Sequence, residues 1–146
     1  MAPFTFRLEQ VRLYRKQLEE QAMQLLAQSV MRRDAIRARL NSLERALAEQ
    51  RMVLSRVFTL DAGERWLANQ YEGALKQDIA ETVVLLHELE KQVDAYRTDL
   101  VEKAKARGLL DSLKEKQAAK HQRQELQNEQ KNNDETATLR HKPVAI

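Results

Sequence analysis

The chain has 146 residues and no cysteine; 32% are charged and 5% aromatic, with three glycines and two prolines. That composition excludes β-rich and compact α/β designs, and the absence of thiols removes disulfides and thiolate metal sites, which suits a reducing compartment. The net charge of +3 does not imply nucleic acid, because acids are interleaved with the bases and phosphate binding needs a concentrated positive surface.

Arg7, Glu9 and Arg12 interrupt any apolar run near Met1, so no signal peptide is expected, and no stretch approaches the ~20 apolar residues of a membrane span. A soluble, cytoplasmic protein is expected. Between Pro3 and Pro143 there is no proline. The first predicted element is one helix from about residue 4 to 58, on the order of 80 Å long at 1.5 Å per residue. Its apolar stripe is Ala22, Leu26, Ser29, Arg33, Ile36, Leu40, Leu43 and Leu47, in alternating three- and four-residue steps. That spacing is the heptad seam of helices that wrap around each other.

Next comes a turn at about residues 59–63, within Val57-Phe58-Thr59-Leu60-Asp61-Ala62-Gly63-Glu64. Asp61 can cap a new helix, Glu64 can complete a capping box, and Gly63 is free to take positive φ. Gly73 and Gly108 lack such a context and read as costs of roughly 1 kcal/mol each inside a helix.

The second helix is expected from about residue 64 to 127, with a matching stripe of Leu75, Ile79, Thr82, Leu86, Leu89, Val93, Tyr96 and Leu100. If the chain reverses near Asp61, facing residues have numbers that sum to 122, pairing Leu47 with Leu75 and Ala22 with Leu100. Heptads repeat, so a slip of seven fits almost as well and only the turn chemistry separates the registers. Charge supports the pairing: residues 1–58 carry 11 Lys/Arg against 6 Asp/Glu, residues 59–113 carry 7 against 11. The two arms attract, whereas a parallel homodimer would oppose like with like. The fold class is therefore all-α, a long antiparallel two-helix coiled-coil hairpin, monomeric when free. From Lys114 the pattern fails, and residues 128–146, ended by Pro143, read as a frayed or disordered tail.

Such a hairpin offers no concave, partly dry place for catalysis, so no enzyme, small-molecule substrate, metal or cofactor is expected. His87 and Glu90 have helical ligand spacing, but a lone pair of this kind is more often a solvated face. Ser29, Arg33 and Thr82 read as a register-setting polar layer in which the arginine stem packs and its head snorkels. Gln50 is expected to face Glu72. The aromatics gather at the two ends: Phe4, Phe6 and Tyr14 at the start, Phe58, Trp66 and Tyr71 around the fold. A narrow hairpin cannot cover Trp66 and Phe58 at its fold, which marks a partner surface; for Phe58 the reading as a plug of the fraying end stays open.

The opening Phe4-Thr5-Phe6-Arg7-Leu8-Glu9-Gln10-Val11 with Tyr14-Arg15 and Glu19-Glu20-Gln21-Ala22, and the stretch Glu64-Arg65-Trp66-Leu67-Ala68-Asn69-Gln70-Tyr71, resemble the flagellar type III export stalk family, FliJ. The likeness covers nearly the whole chain. It implies a stalk similar to the central subunit of rotary ATPases, with the end carrying both termini in the pore of a hexameric export ATPase. The other end would contact the cytoplasmic linker of the membrane export gate, and export chaperones are further partners. The protein would then be peripheral at the cytoplasmic face of the inner membrane. For the gate the resemblance points to Gln50, Leu54, Val57, Tyr71 and Leu75, joined by the fold aromatics Phe58 and Trp66. For the ring, Phe4, Phe6, Leu8, Leu113 and Lys116 are the candidates. A virulence-type secretion stalk and a generic coiled-coil scaffold remain open as alternatives.

Overall fold

A computed structural model describes residues 2–140. Two helices, α1 (Glu9–Ser55) and α2 (Ala62–Arg140), pack against each other as an antiparallel hairpin, and no strand occurs among the described residues. The chain divides into two compact units, Glu20–Val101 on one hand and the segments up to Glu19 and from Glu102 onward on the other.

In the first of these, all sixteen seam positions are buried or half-buried while most of their neighbours are exposed. Side chains that bond or pair across the helices are Gln50 with Ala68, Arg51 with Glu72, and Arg37 with Glu90, whose numbers sum to 118, 123 and 127. These centre on the expected 122 and not on the 115 or 129 of a seven-residue slip, so the register is settled. Ser29 and Val93, which sum to 122, are 2% and 1% exposed. The polar seam residues do not fix that register by bonding across it. Ser29 Oγ donates to Leu26 O at 2.8 Å and Thr82 Oγ1 to Asp78 O at 2.6 Å, each within its own helix. Arg33 keeps its stem in the half-buried row and pairs its guanidinium with Asp34 at 3.0 Å.

The last turn of α1 tightens through Arg56 N–H to Val53 O and Val57 N–H to Leu54 O, as helix ends do when their carbonyls lack partners. Asp61 then caps α2: Glu64 N–H donates to Asp61 Oδ1 at 2.6 Å and Arg65 N–H to Asp61 O at 3.0 Å. Gly63 departs from expectation, for no glycine has positive φ. It lies inside the first turn of α2, after the connection that reverses the chain.

In the other unit, α1 begins at Glu9 and not near residue 4; residues 2–8 form a non-helical lead-in whose Phe6 is 8% exposed. Leu110 of α2 is buried to the same degree, at 7%. The helix α2 also continues past residue 127 to Arg140, although Asn128, Asn132, Asn133 and Asp134 are weak helix formers, and Thr136 and Thr138 donate back to Asn132 O and Asp134 O at 2.8 Å. Every residue from 126 to 140 is exposed. Pro143 and the rest of the expected tail end lie outside the described residues.

Candidate functional site

Around the fold, the seam closes before the apolar side chains do. From residue 52 to residue 71, the large apolar groups Met52, Val53, Val57, Phe58, Trp66, Leu67 and Tyr71 are all exposed, Phe58 at 98% and Trp66 at 60%. Two helix ends and a six-residue connection, residues 56–61, cannot supply a second layer over these rings. Of the residues expected to meet a partner here, Phe58, Trp66, Tyr71 and Val57 thus present surface. Leu54 is half-buried, and Leu75, 7% exposed, belongs to the seam. Gln50 also points inward. Its Nε2 donates to Ala68 O at 2.8 Å, and Glu72, expected opposite it, pairs instead with Arg51 and Lys76, both at 3.3 Å. Lys76 first and Arg51 second hold the Glu72 carboxyl below its usual range.

In the unit that contains the N-terminal lead-in, the two helices meet through charge. Lys114 Nζ lies 3.0 Å from Glu9, Glu9 holds Arg12 at 2.6 Å, and Arg12 reaches Asp111 at 3.3 Å. Asp111 in turn takes Arg107, whose guanidinium also grips Glu19, and Arg15 donates to Ala106 O at 3.0 Å. Hydrogen bonds from Arg12 and then Lys114 lower the Glu9 pKa to about 2. At Asp111 burial works to raise the pKa, but the bonds from Arg107 and Arg12 prevail and lower it. The inward row of α1 is therefore mostly ionic, with Leu18 half-buried in it, while Val11, Leu13 and Tyr14 are 41%, 42% and 59% exposed.

The aromatic lead-in is partly used up by packing. Phe6 is buried, and the Phe4 ring sits 5.7 Å from the His121 ring, whose Nε2 lies 3.1 Å from Ala2 O. A groove of about 420 Å³ remains beside it, lined by Pro3, Phe4, Ala118 and Leu126 among others. Leu8, Leu113 and Lys116 are exposed, as is Leu109 at 71%, which the periodicity had not singled out. Among the described residues no group of three or more His, Cys, Asp or Glu could hold a metal ion, and Glu90, which stands at ligand spacing from His87, pairs with Arg37 at 2.9 Å. No helix is long and apolar enough to cross a membrane.

The sequence reading missed the ionic network because it weighed charge only as a sum over each arm and applied the pairing rule to apolar residues alone. The signal was present: Glu9 with Lys114 and Arg12 with Asp111 both sum to 123 and join opposite charges.

A search of the curated proteins and of the solved structures finds no match to this chain. The model of one family, described as the flagellar FliJ protein, does match, over residues 4–143. That span takes in the lead-in, both helices and the exposed rings at the fold, and the chain belongs to the flagellar FliJ protein family, which implies a stalk role in flagellar export.

Proposed function

We propose that this chain is a non-enzymatic central stalk and adaptor of the flagellar type III export apparatus. The end that carries both termini inserts into the hexameric export ATPase, and the fold docks on the cytoplasmic linker of the membrane export gate. The protein is cytoplasmic, monomeric when free, and held at the inner membrane's cytoplasmic face through these partners, with export chaperones as further clients. The flagellar family match favours this reading over a virulence-type stalk.

The observation that carries it is the set of apolar side chains left bare around the fold, with Phe58 at 98% exposure, Trp66 at 60% and Tyr71 at 51%. A spacer would gain nothing from exposing them, whereas aromatic groups are the usual anchors of protein interfaces. The ionic end suits a different kind of contact. Leu8, Leu113 and Lys116 offer the ring lumen exposed side chains over a network that fixes the backbone beneath them.

Pull-downs with the ATPase and with the gate linker test the assignment. Trp66→Ala or Tyr71→Ala should weaken linker binding by about 2 kcal/mol, as for interface anchors generally, with helix content unchanged because both rings are solvent-exposed. Leu113→Asp with Lys116→Glu should weaken the ATPase contact and spare the linker. The opposite pattern would reverse the polarity of the stalk, and loss of neither partner would favour a plain scaffold.

A further inference from the structure

The last polar layer of the seam before the turn is Gln50, and the two ends of its amide meet different fates. Nε2 donates to the Ala68 carbonyl at 2.8 Å. Oε1 is buried and has no hydrogen-bond partner. The reversed amide would be worse, setting Oε1 against a carbonyl oxygen and burying an NH₂ group with no acceptor. An unpaired buried acceptor is costly, so an apolar side chain of the same length would make a more stable seam. Stability of the seam does not account for a glutamine here; what Nε2 holds does.

Ala68 lies between Trp66 and Tyr71. From Ala62 through residue 74, α2 has only two residues that are not exposed, Ala68 and Glu72. They are the two that α1 reaches with consecutive side chains, Gln50 to Ala68 O and Arg51 to Glu72 at 3.3 Å. The first apolar residue of α2 to be buried is Leu75, at 7%. The turns that display the rings thus carry no buried apolar side chain, and two polar contacts tie them to α1; of the two the Arg51 pair is the more solvated, with the arginine side chain 58% exposed.

We propose that Gln50 is the positioning residue of the aromatic fold: from inside the seam it fixes the entry of α2 through the Ala68 carbonyl and so sets where Trp66 and Tyr71 stand for a partner. Gln50 touches no partner itself. The inference rests on reading the fold as the docking end.

The test uses the full-length chain with Gln50→Met, which keeps the length and removes the donor, and Gln50→Glu as a second donor-less variant. Trp66 is the sole tryptophan, so its emission reports on these turns directly. Both variants should speed amide exchange across residues 64–72 about fivefold and shift Trp66 emission, with Gln50→Met leaving the melting temperature unchanged or higher. Gln50→Lys, which can still donate to the carbonyl, should restore slow exchange. Binding of the gate linker should weaken about tenfold in Gln50→Met, and adding Gln50→Met to a variant with both Trp66→Ala and Tyr71→Ala should be no worse than that variant alone, since one effect acts through the other. Unchanged exchange and emission would overturn the inference, as would full additivity, which marks a direct contact. If the unaltered protein does not bind the linker, the docking reading falls, and exchange alone decides the positioning: a rise supports it and constancy refutes it.

Discussion

Replacing Gly73 and Gly108 with alanine should stabilise the protein by about 1 kcal/mol at each position. Both lie in the interior of α2, and neither has positive φ, so alanine introduces no backbone strain. A Cβ built at either site meets nothing within 4 Å, so it gains no contact and causes no clash. What remains is the backbone freedom that glycine loses on entering a helix, which is the whole of the expected gain. The two sites fall in different compact units, Gly73 in Glu20–Val101 and Gly108 in the other, so they share no neighbours and their effects should add within about 0.5 kcal/mol. For a chain of this size each substitution should raise the thermal midpoint by roughly 3 °C. Circular dichroism at 222 nm on heating, with a parallel urea titration, measures both single variants and the double. A midpoint that falls at either site would refute the reasoning, since it would mean that α2 is not an uninterrupted helix through that residue or that something occupies the space beside it.

The terminal network should make stability depend on acidity and on salt. Glu9 has its pKa lowered from 4.5 to about 2, so its contribution is present in full above pH 4.5 and is lost as the pH falls toward 2. Amide exchange in the first turns of α1 should accelerate over that window and with added salt, and Glu9→Gln should flatten the pH response; an unaltered profile would show the network to be inert. Cysteines at Ala22 and Leu100, which sum to 122, should crosslink within one chain, and crosslinks found only between chains would disprove the antiparallel register.

The fold was legible because a single property, apolar spacing, decides a two-helix seam. The sixteen positions read from three- and four-residue steps are all buried or half-buried in the structure, and charge of opposite sign on the arms supports their direction. What could not be read was how each polar seam residue would be satisfied. Ser29 and Thr82 look like cross-helix partners in sequence, but their short hydroxyls reach the carbonyls of their own helices first, at 2.8 and 2.6 Å. Gln50 has a longer arm, so it crosses the seam, and it takes a backbone carbonyl that no residue pattern reveals. The same limit applies to the candidate site. Exposed rings were visible as an excess of aromatics that a narrow hairpin cannot cover, whereas the burial of Phe6 and the tilted contact of the Phe4 and His121 rings depend on the path of a lead-in that no spacing rule dictates.

The two units hold their helices by different chemistry, and the difference follows from composition. Within Glu20–Val101 the seam is apolar and lightly interrupted, with Ala22, Leu75 and Val93 each at 7% exposure or less. Removing a methylene-rich side chain there should cost stability at any salt concentration, because hydrophobic burial is not screened. In the other unit buried Phe6 and Leu110 and half-buried Leu18 are joined by charged rows, Glu9, Arg12, Arg15 and Glu19 against Arg107, Asp111 and Lys114, where screening and protonation act directly. Exposed pairs of this kind contribute little individually, so their value lies in geometry: Arg12 and Arg107 each bind two carboxylates, which adds directional contacts to helix rotation. Helix rotation decides which side chains face outward, and here the outward ones are Val11, Leu13, Tyr14 and Leu109.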